Sequence, residues 1–339
     1  MANYRAEAAA TEILYGDTPT AFGVPSVDPA DLHGIDIAIS GVPWEGSPTW
    51  AGWTGCIIAP KTIRDASVRL SGFQPEYGID AFEWLTLGDC GDVVVNMQDQ
   101  PGSFISIERH IAKIINGGAF PLTFGGDHSI AYPIVKAITE TTGKRIGVVH
   151  LDAHFDNKDV YEGDRFARNC QFHRMAELDL VDPTTIVHTG IRGPRNTKGQ
   201  WEYAREVGAQ ILTINDVRDR GIEAIIKEAH ALASKGTDGV YVSICSDVIE
   251  AAFNPGGPPD PNGLTTYELF RAVRYLGQQS NLVGYDHCEV LPPLDPTSLA
   301  SHTAAWAAIY MLGGMASRLK EDREQGDKSI SLTESTINA

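Results

Sequence analysis

Six side chains that bind metals or move protons stand at the ends of three apolar runs. Some alternate along the chain, and alternate residues of a β-strand point to the same side. Carboxylates and imidazoles placed in this way suit Mn²⁺, Ni²⁺, Fe²⁺ or Zn²⁺. The six residues are His128, Asp152, His154, Asp156, Cys245 and Asp247.

The alternation of Asp152, His154 and Asp156 lets one strand end supply two metal ions. Two divalent ions about 3.5–4 Å apart can share a water molecule and lower its pKa. A single Asp or His at a strand end is more often a cap or a structural hydrogen-bonding residue. Several such groups on one edge are costly to bury without a cation. The pattern therefore favours a hydrolytic metal site.

The elements that would position these residues alternate between apolar runs and helical patterns, which favours a parallel sheet covered on both faces. Functional sites of such sheets lie at the carboxyl ends of the strands. Strands are predicted at 35–41, 120–124, 145–151, 184–190, 209–214, 239–245 and 281–286. Helices are predicted at about 60–71, 103–117, 129–141, 199–207, 217–235, 265–279 and 299–318.

We therefore predict an α/β fold, with a mainly parallel sheet in one three-layer α/β/α domain. The domain is expected at 31–318, between an N-terminal arm at 1–30 and a polar C-terminal tail at 319–339. The apolar run at 303–316 is too short to span a membrane and is predicted to be a buried helix.

Composition excludes some classes of partner. The 339 residues carry a formal net charge of −17, which argues against nucleic acid or an anionic membrane as a partner. The five cysteines include no CxxC pair, so we expect free thiols in a reducing compartment, the cytoplasm. The first 16 residues show no signal-peptide pattern.

The motifs around these residues resemble those of the ureohydrolase superfamily, which contains arginases, agmatinases and related guanidine hydrolases. The three metal signatures of that family resemble GGDHSI at 125–130, LDAHFD at 151–156 and SICSD at 243–247. Further matches follow in the family's order: GVPWEG (41–46), APKTIR (59–64), HTGIRG (188–193), FNPGGPPDPNGLT (253–265) and GYDHCEVLPPLDPT (284–297). The resemblance covers roughly 30–318 and is greatest to the agmatinase-like branch.

The resemblance implies an arginase-like fold, a binuclear Mn or Ni site, and hydrolysis of a guanidine-type C–N bond to urea and an amine. Glu289 matches the acid that pairs with the substrate guanidinium, for which a carboxylate is the natural partner. The residues predicted to be catalytic are Glu289, Asp156 and His173. Those predicted to bind substrate are Glu289, Arg168 and Asn169. The implied metal ligands are His128, Asp152, His154, Asp156 and Asp247, with Cys245 at the sixth position.

Cys245 departs from the family pattern, which has Asp-x-Asp where this chain has Cys245-x-Asp247. By resemblance, the missing acid is the one that bridges both metals. A bridging thiolate would shift the preference from Mn²⁺ toward Ni²⁺, Zn²⁺ or Fe²⁺. Alternatively, Cys245 is a small buried thiol at a position from which the metal has been lost.

A second departure lies at Arg168, Asn169 and Cys170, where the family usually has a His-Gly-Thr turn whose histidine carries protons. Arginine cannot act as a general base. If Arg168 points inward it also repels a guanidinium substrate, and a solvent-facing side chain is the alternative. His173 could replace the missing histidine.

A third set of departures includes Ile57 and Ala59, where the family commonly has Arg and Gly, and a loop at 256–263 that is one residue short. Together the changes indicate a ureohydrolase subunit with a degenerate site, with partial or absent metal. Such subunits occur in heteromeric guanidine and biguanide hydrolases such as metformin hydrolase. The alternatives are a fully active agmatinase-like enzyme with a Cys-containing site and a non-catalytic scaffold for an active paralogue.

Assembly as a trimer or hexamer, homomeric or with a related subunit, is implied by the resemblance. The long terminal segments could clasp neighbouring subunits. The aromatic stretch PTWAGWTG at 48–55 could lie in an interface, or Trp50 and Trp53 could line the pocket entrance.

Overall fold

The computed structural model describes residues 19–46 and 54–326. Its main sheet has eight strands, all paired in parallel, in the order β4-β1-β5-β10-β9-β6-β7-β8. The strands of this sheet are β1 (Ile37–Val42), β4 (Leu87–Asp92), β5 (Phe120–Gly125), β6 (Ile146–Leu151), β7 (Ile186–Ile191), β8 (Gln210–Thr213), β9 (Gly239–Cys245) and β10 (Leu282–Cys288). A small antiparallel hairpin is formed by β2 (Phe73–Gln74) and β3 (Ile79–Asp80).

Helices cover both faces of the sheet. They are α1 (Ala59–Ser67), α2 (Ala81–Trp84), α3 (Gln100–Asn116), α4 (Ala131–Thr142), α5 (Gln171–Met175), α6 (Lys198–Glu206), α7 (Ile214–Arg220), α8 (Ile222–Ala233), α9 (Thr266–Gly277) and α10 (Leu299–Glu324). One hydrophobic core joins one sheet face to α1 and α7–α10, and another joins the opposite face to α3–α6. The predicted three-layer α/β/α architecture is confirmed.

The central strands are buried on both faces. Every residue of β9 and β10 is buried, which explains why these strands appear in the sequence as continuous apolar runs. Parallel pairing places the carboxyl ends of β5, β10, β9 and β6 side by side. The sheet therefore brings together the segments that carry the candidate ligands.

All seven predicted strands are present, but β4 was not predicted. Its sequence, LGDCGD, lacks the apolar run that indicates a strand. Ion pairs with Arg64 stabilise the acidic residues of this strand. Arg64 Nε lies 2.8 Å from Asp89 Oδ2, and Arg64 Nη1 lies 2.5 Å from Asp92 Oδ1. Asp89 is buried by this pairing.

The helix predicted at 217–235 is two helices, α7 and α8. Gly221 separates them with φ of +78° and ψ of 149°, a conformation that interrupts the helical backbone and that glycine adopts readily. The run at 303–316 lies within α10 as a buried helix, as predicted. No helix among the described residues is long and apolar enough to cross a membrane.

The two ends of the domain differ from the predicted boundaries. Helix α10 continues to Glu324, with Leu319 in the core, so residues 319–324 are not tail. Phe22 is buried in the core and its backbone N–H donates to Ser67 Oγ, so this part of the predicted arm is packed. Residues 1–18, the stretch 47–53 with Trp50 and Trp53, and residues 327–339 lie outside the described residues.

Candidate active site

The six candidate ligands meet at one edge of the sheet. His128 follows β5, Cys245 ends β9, and Asp247 follows it in a short 3₁₀ turn. Asp152, His154 and Asp156 follow β6. The predicted convergence is confirmed, since donor atoms of Asp152, His154 and Asp247 lie within 4.8 Å of one another. The role of these residues as ligands stays a prediction.

Asp152 joins two groups of donors, one on each side of its carboxylate. Its Oδ2 lies 3.1 Å from His128 Nδ1, which is also 3.4 Å from Asp156 Oδ2. Its Oδ1 lies 3.4 Å from His154 Nδ1, which is 3.0 Å from Asp247 Oδ2. This arrangement has the form of two adjacent cation sites that share one carboxylate.

The electrostatics of these groups suit a bound cation. Burial raises the pKa of Asp247, and the neighbouring Asp152 raises it further. Burial also disfavours the charged form of Asp152, but His150 and His128 outweigh it and hold the pKa of Asp152 well below its usual value. Buried carboxylates crowded against imidazoles are a donor set for a borderline divalent ion.

Two site acids have left-handed backbone conformations. The φ angles are +47° at Asp156 and +60° at Glu289, where residues other than glycine are strained. The surrounding structure holds both residues, since Gln171 Nε2 donates to Asp156 Oδ2 at 2.8 Å and the N–H of Glu289 donates to the carbonyl of Gly126. Local strain that places two acids in one cavity fits a functional site.

Cys245 lies among the first group of donors. Its sulfur, with atoms of His128 and Asp152, forms a potential metal-binding triad. Burial raises the pKa of the Cys245 thiol well above its usual value, and the carboxylates of Asp152 and Asp247 raise it further. The thiol is therefore protonated at neutral pH, and an ion binding to it would have to displace a proton.

Arg168 points inward and pairs with Glu289. Its Nη1 lies 3.2 Å from Glu289 Oε2, and its Nη2 lies 3.5 Å from Glu45 Oε1 and 3.7 Å from Asp127 Oδ2. Arg168 is 4 % exposed. The solvent-facing alternative is wrong, and Arg168 places a guanidinium group of the chain itself among the carboxylates of Glu45, Asp127 and Glu289.

His173 does not join the site. Its ring stacks on Tyr203 at 4.1 Å, and its Nδ1 lies 3.2 Å from the carbonyl of Asn157. The reason is helical geometry: Gln171 of α5 faces Asp156, and a residue two positions later points to the other side of the helix. The structure gives no support to His173 as the proton carrier.

The site opens into a cavity of about 210 Å³. Asn169, a predicted substrate-binding residue, lines it together with Lys158, Tyr161, Arg195 and Gln200. Among the described residues, the wall of this cavity combines the cationic side chains of Lys158, Arg168 and Arg195 with the carboxylates of Asp156, Asp247 and Glu289.

Several site residues were not predicted. His150 is fully buried, and its Nε2 lies 2.9 Å from Asp152 Oδ2. It stands two residues before Asp152, so the alternation rule applied to Asp152, His154 and Asp156 would have found it. Glu45 and Asp127 lie inside the quoted motifs GVPWEG and GGDHSI, but no residue pattern indicated that they face Arg168.

Polar contacts behind the ligands orient the two histidines. His128 Nε2 lies 2.8 Å from Ser243 Oγ, which donates to Asp286 Oδ1 at 2.9 Å. His154 Nε2 lies 3.3 Å from Asp260 Oδ2. These contacts leave Nδ1 of each ring directed at the shared carboxylate, the orientation that metal-binding histidines require.

Comparison with known proteins agrees with this fold. The model of the arginase family matches residues 35–313. The chain is 32% identical over 309 residues to a guanidinobutyrase of Pseudomonas aeruginosa, covering 90% of this chain and 95% of that protein. It is 35% identical over 284 residues to an agmatinase of Chromobacterium violaceum, covering 83% and 84%.

A solved structure gives the same result at the level of the fold. The proclavaminate amidino hydrolase of Streptomyces clavuligerus superposes with a TM-score of 0.82 at 29% identity, covering 90% of this chain and 99% of that one. The extent of the family match and the identity to these relatives lead to one conclusion: this chain belongs to the arginase family of the ureohydrolase superfamily.

Proposed function

We propose that this chain is a subunit of a metal-dependent guanidine hydrolase and that its own active site has lost turnover. The observation that carries this proposal is the contact of Arg168 Nη1 with Glu289 Oε2 at 3.2 Å in a buried pocket. The chain thereby places its own guanidinium where the guanidinium of a substrate would bind.

The chain keeps donors that could hold the divalent ions of a guanidine hydrolase. His128, Asp152 and Asp156 would hold one divalent ion, Mn²⁺ or Ni²⁺, and Asp152, His154 and Asp247 would hold a second. Such ions supply a Lewis acid and lower the pKa of water. Glu289 would orient the guanidinium by accepting two N–H bonds, and Asp156, by resemblance, would accept a proton during the reaction, which adds water to a C–N bond and yields urea and an amine.

Arg168 opposes substrate binding in two ways. It fills the space beside Glu289, and its positive charge repels a second guanidinium. A substrate guanidinium that displaced Arg168 would have to break its contacts with Glu45, Asp127 and Glu289, and the Arg168 side chain would have to move out of the buried pocket. Breaking a buried ion pair of this kind costs about 3–5 kcal/mol.

Cys245 weakens the metal site as well. By resemblance, an acid at this position bridges both ions, and a carboxylate supplies two hard oxygens. A thiol supplies one soft sulfur and must lose a proton first. We infer that the chain holds at most one ion firmly and that any second ion is Ni²⁺ or Zn²⁺ rather than Mn²⁺.

The partner in this proposal is a related, active ureohydrolase subunit in a trimer or hexamer, as in heteromers of the metformin hydrolase type. The names of the relatives, guanidinobutyrase and agmatinase, indicate linear guanidines as the substrate class of the active subunit. The cytoplasm suits such an assembly, because all five cysteines are free thiols.

The second candidate is a fully active hydrolase with a Cys-containing site. It is favoured by the convergence of six donors around Asp152, which a pure scaffold would have no need to keep. Metal content separates the candidates. Two equivalents of metal in the chain purified alone favour the active enzyme, whereas none favours a scaffold that only stabilises a paralogue.

Urea release tests the proposal. The purified chain, loaded with Mn²⁺ or Ni²⁺, is assayed with guanidinobutyrate, agmatine and methylguanidine, alone and co-expressed with an active paralogue. The proposal predicts no urea from the chain alone and urea from the co-expressed assembly. Glu289→Gln in this chain should leave the assembly's rate unchanged. Turnover by the chain alone that is abolished by Glu289→Gln would overturn the proposal in favour of the active enzyme.

A further inference from the structure

A cavity of about 230 Å³ lies between α8 and α9, outside the active site. Its wall carries the side chains of Lys227 from α8 and of Arg271 and Arg274 from α9. Among the described residues, Glu223 is the one carboxylate in this wall, and it pairs with Arg271. The cavity thus concentrates positive charge on a chain whose formal net charge is −17.

Arg274 is the most deeply placed of these cations and is only 7% exposed. Its Nη1 donates to Gln74 Oε1 at 3.0 Å and its Nη2 donates to Ser317 Oγ at 2.7 Å. Both acceptors are neutral. Within residues 19–46 and 54–326, no carboxylate oxygen lies within 4 Å of a nitrogen of Arg274, in contrast to the buried Arg64 and Arg168.

The guanidinium plane of Arg274 is fixed rather than free to swing out. It stacks on the ring of Tyr77, with its central carbon 3.5 Å from the ring centroid. The hydroxyl of Tyr77 accepts a hydrogen bond from Arg271 Nη1 at 3.4 Å. Gln74 offers Arg274 only a neutral amide oxygen. Its amide N–H donates to the carbonyl of Ile309, which fixes that orientation.

A buried, oriented cation without an anionic partner is costly. Burial lowers the pKa of Arg274 and Arg271 lowers it further, whereas Tyr77, Tyr310 and the carboxylate of Glu321, which lies beyond 4 Å, act in the opposite direction. Gln74 and Ser317 accept two of the five N–H groups that a guanidinium offers, so donors remain for a ligand. An anion in the cavity would accept hydrogen bonds from these donors and offset the positive charge that the pairing of Arg271 with Glu223 leaves in the wall.

We propose that this cavity binds a small carboxylate or phosphate anion, held by Arg274 and Arg271 with Lys227 at its side. A planar guanidinium fork suits both kinds of oxyanion, and two arginines with a lysine are a common set for them. The site is separate from the Glu289 pocket, so the proposal does not depend on whether the chain turns over a guanidine.

Calorimetric titration of the full chain at low ionic strength tests the site, with inorganic phosphate and succinate as the two probes and chloride at matched ionic strength as the reference. We expect saturable binding of at least one probe, and the two titrations distinguish phosphate from carboxylate as its chemistry. Arg274→Gln should weaken binding by about tenfold or more, since it removes a charged donor.

The matched control is Arg220→Gln, which removes an arginine from an exposed pair with Glu228; neither residue lines the cavity. It should bind the probes as the parent does. If Arg274→Gln does not fold, Arg271→Gln decides, because its side chain is about one third exposed at the cavity wall. Absence of saturable binding to the parent, or equal binding by the parent and the folded cavity variants, would overturn the proposal.

Discussion

At the residue scale, two of the departures from the family pattern lie inside the site. Cys245 puts a thiol where a bridging acid is expected, and Arg168 puts a cation against Glu289. In the proposed account the two act on different parts of the site, since the thiol would weaken the hold on metal and Arg168 would fill the place of the substrate. The remaining donors still meet around Asp152.

Cys245→Asp should raise the affinity of the chain for a second divalent metal. The change restores a pair of carboxylates at 245 and 247 on the side that faces His128 and His154, and hard oxygens suit Mn²⁺. Equivalents of bound Mn²⁺, measured after equilibrium dialysis, provide the check. Cys90→Asp, which adds a carboxylate in β4 instead, should bind no more Mn²⁺ than the parent. No gain for Cys245→Asp would refute the prediction.

At the element scale, α9 and α10 approach each other closely enough that their backbones nearly touch. A Cβ on Gly314 would lie 2.2 Å from the carbonyl oxygen of Arg274, and a Cβ on Gly277 would lie 2.1 Å from that of Met311. These glycines let α10 pack along α9, and the same contact positions the backbone that carries Arg274 in the anion cavity.

Gly314→Ala should destabilise the protein by roughly 1–3 kcal/mol, the usual range for overpacking a close contact. Gly199→Ala is the control, because no atom lies within 4 Å of its added Cβ on α6. It should be neutral or stabilise by about 0.4–1 kcal/mol through the unfolded chain. Denaturant midpoints measure both, and equal stability of the two variants would contradict the packing argument.

The sequence predicts the central strands because parallel strands buried on both faces are continuous apolar runs. It predicts the ligands because the strand ends carry alternating donors. It misses β4 because Arg64 stabilises acidic residues there: Arg64 stands 25 positions before Asp89 in the chain but pairs with it in space. It also places His173 in the site wrongly, because the turn of α5 decides which residue faces Asp156.

At the scale of the whole molecule, the account expects a trimer or hexamer, alone or with a related subunit. A face that is rich in aromatic side chains fits this expectation. Trp306 is 39% exposed, and its ring stacks 5.8 Å from those of Phe270 and Tyr310. Aromatic residues are enriched at subunit interfaces.

Deletion of the N-terminal segment tests its part in assembly. The deletion should stop at residue 18, because Ala21 and Phe22 are buried and bonded to Asp89 and Ser67. If residues 1–18 clasp a neighbour, the shortened chain should form a smaller particle with an unchanged circular dichroism spectrum. Light scattering measures the particle size. A monomeric parent at micromolar concentration, with and without its paralogue, would rule out the assembly and the accessory role.

The central claim is that Arg168 occupies the guanidinium position of this chain. Its most direct test compares the affinity of the parent for methylguanidine with that of Arg168→Ala. Arg165→Ala serves as the control, because it removes an exposed arginine three residues away. The account predicts that Arg168→Ala binds methylguanidine at least about tenfold more tightly than the parent and the control do, through charge-assisted bonds to Glu289. Adding Glu289→Gln should abolish the gain. Equal affinity of the parent and a folded Arg168→Ala variant would contradict the account.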